Sequence, residues 1–258
     1  MSGYRAVRIL LLLIILLLVS VNTWLSQTRT TDWQEPLWAV VYPIAADQLP
    51  ITRLYVNALS EDHFEDMERF MAREAQRYGV VLDKPLEVKL APPLEVQPPE
   101  PPQNQSVLSS IIWSLKMRYW AWNNDNWQGP EPDIKIYMRF FTPDYDRVLA
   151  HSLGLQKGMI GVVNGFASID YQARNNFVAA HELLHTLGAT DKYDPRTSFP
   201  LWPDGYADPD RKPLLPQSRA EIMGGRVQVS AGWALMPKSL KQAVVGERTA
   251  REIQWLSP

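Results

Sequence analysis

The run His181-Glu182-Leu183-Leu184-His185-Thr186-Leu187-Gly188-Ala189-Thr190-Asp191 constrains this chain more than any other stretch. Residues four apart on an α-helix share a face, so a helix here would aim the imidazoles of His181 and His185 at one point, with Glu182 beside them. Gly188 is suited to end that helix, because a residue without Cβ enters the left-handed backbone region and turns the chain. Three residues later Asp191 can swing back to the same point. Two imidazoles and a carboxylate make up the three-donor set of a catalytic zinc, which keeps a fourth position for water. Glu182, not itself a ligand in this arrangement, is placed to take a proton from that water and pass it to a leaving amine. If the loop folds differently, Glu221, Asp194 or His151 could stand in for Asp191 as third donor. His63 is the remaining imidazole of the four.

The string HExxHxxGxxD resembles the extended motif of metzincin zinc endopeptidases, with Asp where most members carry His, as in snapalysin-like and immune-inhibitor-A-like peptidases. The latter tend to show a Tyr and an acid just beyond, matched here by Tyr193 and Asp194. Downstream, Ala220-Glu221-Ile222-Met223-Gly224-Gly225 looks like the Met-turn that such folds place beneath the metal, which maps Met223 onto its methionine. The resemblance covers a helix and a turn; elsewhere the likeness lies in the order of elements. It implies an enzyme, a zinc endopeptidase acting on peptide or protein substrates. Zn²⁺ would be held by His181, His185 and Asp191, and Glu182 would act as general base. Tyr193 would be a candidate oxyanion stabiliser, against the plainer role of a ring packed under the loop. The implied fold is a zincin/metzincin-like α/β (α+β) domain, a mixed twisted sheet carrying the active-site helix.

The N-terminus bears on where such chemistry would happen. Arg5 and Arg8 flank the apolar run Ile9 to Val19, and with the weakly polar continuation to Leu25 it is just long enough to span a bilayer. No small-x-small cleavage site follows, which favours an uncleaved signal anchor over residues 1–25, with Trp24 at the interface. Basic residues stay on the cytoplasmic side, so a catalytic domain over residues 26–258 is expected to be periplasmic or otherwise extracytoplasmic, and secreted if the segment is cleaved. With no Cys in the chain there is no disulfide framework, lipidated N-terminal Cys or cysteine switch. A net charge of −2 gives no basic footprint, so nucleic acid is not an expected partner.

Hydrophobic periodicity orders the remainder. Strands are expected at Leu37 to Ile44, Leu86 to Leu90, Ile134 to Phe141 and Met159 to Val163, with an edge strand within Arg147 to Leu155. An edge strand there could add an extended peptide to the sheet and hold it across the metal. Helices are expected at Ser60 to Tyr78, Ser106 to Trp122, Arg174 to Leu187 and Lys238 to Trp255. Alternation of strands and helices before the metal helix argues for an α/β upper lobe, followed by a smaller loop-rich lobe. Pro92, Pro93, Pro98, Pro99, Pro101 and Pro102 make residues 91–105 a stiff surface loop. Trp113, Trp120, Trp122 and Trp127 read as packing or anchoring residues rather than a sugar or membrane platform. Asp204, Asp208 and Asp210 around Gly205 match no full Ca²⁺ loop and read as a solvated acidic turn. Two other functions fit the same string: a non-catalytic envelope scaffold with a structural metal site, and a zinc amidase acting on cell-wall peptide. Glu182 weighs against the scaffold, because a structural site has no use for a base.

Overall fold

Strand β1 (Leu37–Ala45) is apolar almost throughout, and every residue but Trp38 is buried. A strand buried on both faces belongs inside a sheet covered on both sides. The computed structural model describes residues 7–10, 13–14, 31–102, 106–144, 152–155 and 158–256. In it β1 is followed by α1 (Pro50–Asn57), a short 3₁₀ turn, α2 (Glu65–Arg77), β2 (Leu86–Leu90), α3 (Val107–Asn123), β3 (Ile134–Phe141), β4 (Leu153–Leu155), β5 (Ile160–Phe166) and α4 (Ile169–Thr186). Five strands form one mixed sheet in the order β2-β1-β3-β5-β4. All neighbours are parallel except β4, which runs antiparallel to β5 with Gly154 opposite Gly161.

Alternation along the strands divides the core in two. Ala39, Val41, Ile136, Met138 and Phe140 face the side covered by α2 and α4, where Met67, Phe70, Phe177 and Leu184 pack on them. Val40, Tyr42, Ile44 and Tyr137 face the other side, where α3 contributes Met117 and Ala121. Burying an apolar side chain of this size is worth about 1.5–3 kcal/mol, so these two layers hold the sheet.

After α4 the chain is mostly loop. It contains β6 (Ala220–Glu221), β7 (Val227–Ser230), β8 (Trp233–Leu235), β9 (Ala243–Val244) and α5 (Glu247–Glu252). β6 pairs with β9 and β7 with β8. Ile222, Met223, Val245, Ile253 and Trp255 from this stretch join the same buried cluster as α2 and α4. The loop-rich part therefore closes over the sheet's core and shares it.

Several sequence expectations need correction. Lys238 to Trp255 is not one helix. β9 pairs with β6 at Ala243 and Val244, and the amides of Val245 and Gly246 donate to the buried carboxylates of Glu74 and Glu221, both at 3.0 Å. These long-range partners, together with the β-branched Val244-Val245 pair, win over local helical spacing. α4 begins at Ile169, not Arg174, because Gln172, Asn175 and Asn176 are buried yet hydrogen-bonded, so polar residues occupy inward positions. α1 was not expected. The edge strand is Leu153–Leu155, while residues 147–151 of the expected stretch, His151 included, lie outside the described residues. So does most of the segment expected to be an anchor. Among the described residues no helix is long and apolar enough to cross a membrane.

Candidate metal centre

α4 delivers the first part of the site. Its last turns place His181 and His185 on one face, with ring centroids 4.7 Å apart and planes nearly perpendicular. Each imidazole is fixed through Nδ1, which donates to a backbone carbonyl: Ile222 at 2.9 Å for His181 and Ala189 at 2.8 Å for His185. A carbonyl oxygen can only accept, so in the neutral rings both protons sit on Nδ1 and both Nε2 lone pairs are bare.

The helix ends as its glycine requires. Gly188 has φ +108°, its amide donates to the His185 carbonyl and that of Ala189 to the Leu184 carbonyl. This Schellman ending reverses the chain and supplies the Ala189 carbonyl that orients His185. The following residues are tied down from α5. Glu252 accepts from the amide and hydroxyl of Thr190 at 3.0 and 2.8 Å, and from the Lys192 ammonium at 2.7 Å. Asp191, between those two residues, is thereby returned to the imidazoles. Its Oδ1 lies 3.2 Å from His181 Nε2 and 3.1 Å from His185 Nε2, and the two Nε2 atoms are 3.1 Å apart.

Three acceptor atoms at these separations repel one another unless a cation lies among them or a ring is protonated. Donors around a tetrahedral ion with bonds of about 2.0–2.1 Å stand ~3.3–3.4 Å apart, close to the observed spacing. The residues present therefore fit a divalent ion, though a mixed imidazole and carboxylate set does not by itself select zinc. His181, His185 and Asp191 are the group of His, Asp and Glu residues able to hold a metal among the described residues. Asp191 stays 42 % exposed, against 10 % for His181, so the group opens to solvent on the aspartate side.

Without an ion, the charges compensate each other. Burial works against the charged form of His181, yet Asp191 and Glu182 outweigh it and raise its pKa. Burial would raise Asp191, but its closeness to both histidines holds its carboxyl well below the usual range. Tyr193, partly buried, is pushed up to about 12 by burial and then by the nearby Asp191 carboxylate. Its ring centroid lies 6.4 Å from that of His181.

Glu182 is buried one residue along the helix from His181. The backbone of β4 lies directly on this turn. A Cβ on Gly154 would be 2.5 Å from His185 Cβ, 2.6 Å from the Glu182 carbonyl oxygen and 3.3 Å from its Oε2. The terminal strand of the sheet among the described residues thus runs over Glu182 and His185, and only glycine permits that approach.

Met223 is fully buried in the main core, in the turn whose Ile222 carbonyl orients His181. That turn closes with Gly225 in the left-handed region at φ +70°. Glu221 is not among the donors. Its buried carboxylate accepts from Gly224, Gly246 and Thr249, and burial raises its pKa despite these donors. Asp194 is also elsewhere, capping a turn through the amides of Arg196 and Thr197. Asp208 pairs with Arg219 and joins no metal-competent group among the described residues. The supporting residues that sequence reasoning missed are Glu252, Lys192 and the Ile222 carbonyl, which act at distances along the chain that local spacing does not encode.

No protein-family model matches the chain, and no curated protein does. Among solved structures it is similar to wild-type OgpA from Akkermansia muciniphila, at 10% identity and a TM-score of 0.37, over 85% of this chain and 63% of that one. A likeness this slight carries no argument about fold or function, and the chain spans less than two thirds of that structure's length.

Proposed function

We propose that this chain is a metzincin-like zinc endopeptidase, held at a membrane by residues 1–25 with its catalytic domain on the extracytoplasmic side. The observation that carries the reading is the meeting of His181 Nε2, His185 Nε2 and Asp191 Oδ1 within 3.2 Å of one another, beside the buried Glu182. A zinc ion held by these three residues would supply Lewis-acid polarisation of a peptide carbonyl and acidification of water.

The chain's own groups do the rest. Glu182 takes the proton of the attacking water on its carboxylate and returns it to the leaving amine, a transfer the buried position favours by excluding competing solvent. The outer edge of β4, which has no further strand beside it among the described residues, offers backbone groups at Leu153–Leu155 to an extended peptide, so the scissile bond would lie over Glu182 and His185. Tyr193, near Asp191, keeps its proton at neutral pH and can donate it to the developing oxyanion. Glu252 and the Ile222 carbonyl act indirectly, by fixing Asp191 and His181.

The test is metal analysis and cleavage of a peptide library by the full chain in detergent, beside Asp191→Ala. One zinc per chain and chelator-sensitive cleavage are expected, with metal affinity falling about 100-fold or more in the variant. Undiminished zinc affinity in Asp191→Ala would remove Asp191 from the ligand set. A library left uncut by the zinc-loaded chain would remove the peptidase reading.

A further inference from the structure

α3 is apolar on two opposite faces. One packs Trp113, Met117 and Ala121 under the sheet. The other exposes Leu108, Ile111, Ile112, Leu115, Tyr119 and Trp122, from 46 % for Ile112 to 74 % for Trp122. At 3.6 residues per turn these six fall within about 100° of the helix circumference, in a stripe about 21 Å long. The charged residues of α3 are Lys116 and Arg118, one on each border of that stripe, and the helix carries no acid. An apolar stripe with cationic borders and aromatic residues at one end is the pattern of a helix lying in a membrane interface. Trp113, Trp120 and Trp127 are accounted for otherwise. Their rings pack inward or donate to backbone, as Trp113 does to Pro99 at 2.9 Å and Trp127 to Pro130 at 2.8 Å.

The tether says what covers the face. From Leu25 to Thr31 the chain spans at most about 22 Å, whereas a domain of this size is about 45 Å across. If the N-terminal segment is in a bilayer, Thr31 therefore stays within about 22 Å of lipid, less than the width of the domain. The aromatic end of the stripe leads to the end of the sheet at which β1 starts, although Trp33, just before β1, packs on the opposite face and donates to the Ile253 carbonyl at 2.8 Å. The loop after Trp122 supplies Asp125 to the Tyr42 hydroxyl at 2.8 Å and Asp133 to the Trp38 amide at 2.9 Å, at the start of β1.

We infer that the outer face of α3 docks on the surface of a lipid bilayer, with Leu108 to Trp122 in the acyl boundary and Lys116 and Arg118 on anionic headgroups. This rests on the anchored reading of residues 1–25 and adds an orientation to it. Because α3 and α4 cover opposite faces of the sheet, the docked domain turns its metal cluster away from lipid, towards peptides in the aqueous phase.

The chain has no native Cys, so a single label is clean. Tyr119→Cys and the control Gln76→Cys, exposed on α2 across the sheet, are labelled with an environment-sensitive fluorophore. The full chain is then reconstituted in phosphatidylcholine vesicles with and without phosphatidylglycerol. The expected result is that the chain floats with the vesicles, and that a lipid-borne quencher dims the label at 119 several-fold more than the label at 76, most with the anionic lipid. A floating chain with both labels equally open to aqueous quencher would overturn the docking and leave the anchor standing. A chain that does not float would overturn the anchor and the docking with it. Shielding of position 119 without lipid, growing with protein concentration, would assign the face to a second copy and overturn the proposal.

Discussion

The two faces of the central sheet are built on different principles. On one, α2, α4 and the C-terminal stretch bury apolar residues completely, and the donor cluster hangs from the end of α4 on that rigid support. On the other, among the described residues, a single helix covers the sheet and leaves a second apolar face in the open. Precision and adaptability are thus separated. Three donor atoms held within 3.2 Å of each other tolerate little movement, so their support is overdetermined by packing and by hydrogen bonds from distant segments. A surface that meets a fluid partner needs only apolar area and flanking charge.

Substitutions at matched positions can break this contrast. The largest effect is expected from Phe177→Ala in α4, whose ring is buried in the main core. It should cost about 3–5 kcal/mol in a denaturant melt and loosen metal binding with it, since the same helix carries both histidines. A loss below about 1 kcal/mol would mean that the face under the cluster is no better packed than the other.

Gly154→Val comes next. The added side chain meets backbone and Cβ atoms of α4 at 2.5 and 2.6 Å, contacts that cannot yield by rotamer change. β4 must move off Glu182 and His185, while His181, His185 and Asp191 keep their own hydrogen-bond supports. Peptide turnover should fall about 100-fold with metal affinity little changed, as a ~1 Å misplacement does. Equal loss of both would show that β4 belongs to the metal site and not to substrate binding.

Asp125 offers a pH-dependent comparison on the α3 face. Burial would raise its pKa, but the Lys135 ammonium, the Trp127 amide and the Tyr42 hydroxyl hold it below the ordinary carboxylate value. A depressed carboxylate contributes stability that is fully present above its unfolded pKa of about 4 and is lost as pH falls through the folded value. Asp125→Asn should therefore lower stability at pH 7 by about 1 kcal/mol, and the gap from wild type should close in melts below about pH 4. A gap that persists in acid would show that the contribution is not ionic.

The smallest effect is expected at the outer stripe. Leu115→Ser, at a side chain 60 % exposed, should change stability in water by no more than about 0.5 kcal/mol. A large loss without lipid would show that the stripe is already covered.

The cluster was legible in sequence because its parts are local. Helical spacing fixed His181, Glu182 and His185, and Gly188 marked the turn that returns Asp191. The parallel strands were legible for a similar reason, since burial on both faces leaves continuous apolar runs such as Leu37–Ala45. What escaped depends on contacts far along the chain. The clamp on Asp191 comes from Glu252, 62 positions from Thr190, and nothing around either residue marks the partnership. α1 escaped because its Ile51 and Leu54 are exposed while Thr52 and Val56 are buried, so its apolar pattern points away from the core. The outer stripe of α3 misled in the opposite direction, because Trp122 read as a packing residue and is instead among the most exposed side chains on the surface.

The central claim is that Glu182 is a base held beside a metal and not a member of its ligand set. Peptide cleavage and bound zinc measured together on Glu182→Gln test it most directly. The amide keeps the shape and loses the proton acceptor, so zinc should remain near one per chain while turnover falls by a factor on the order of 10²–10⁴ or more. Zinc-loaded Glu182→Gln that cleaves at the wild-type rate would contradict the account.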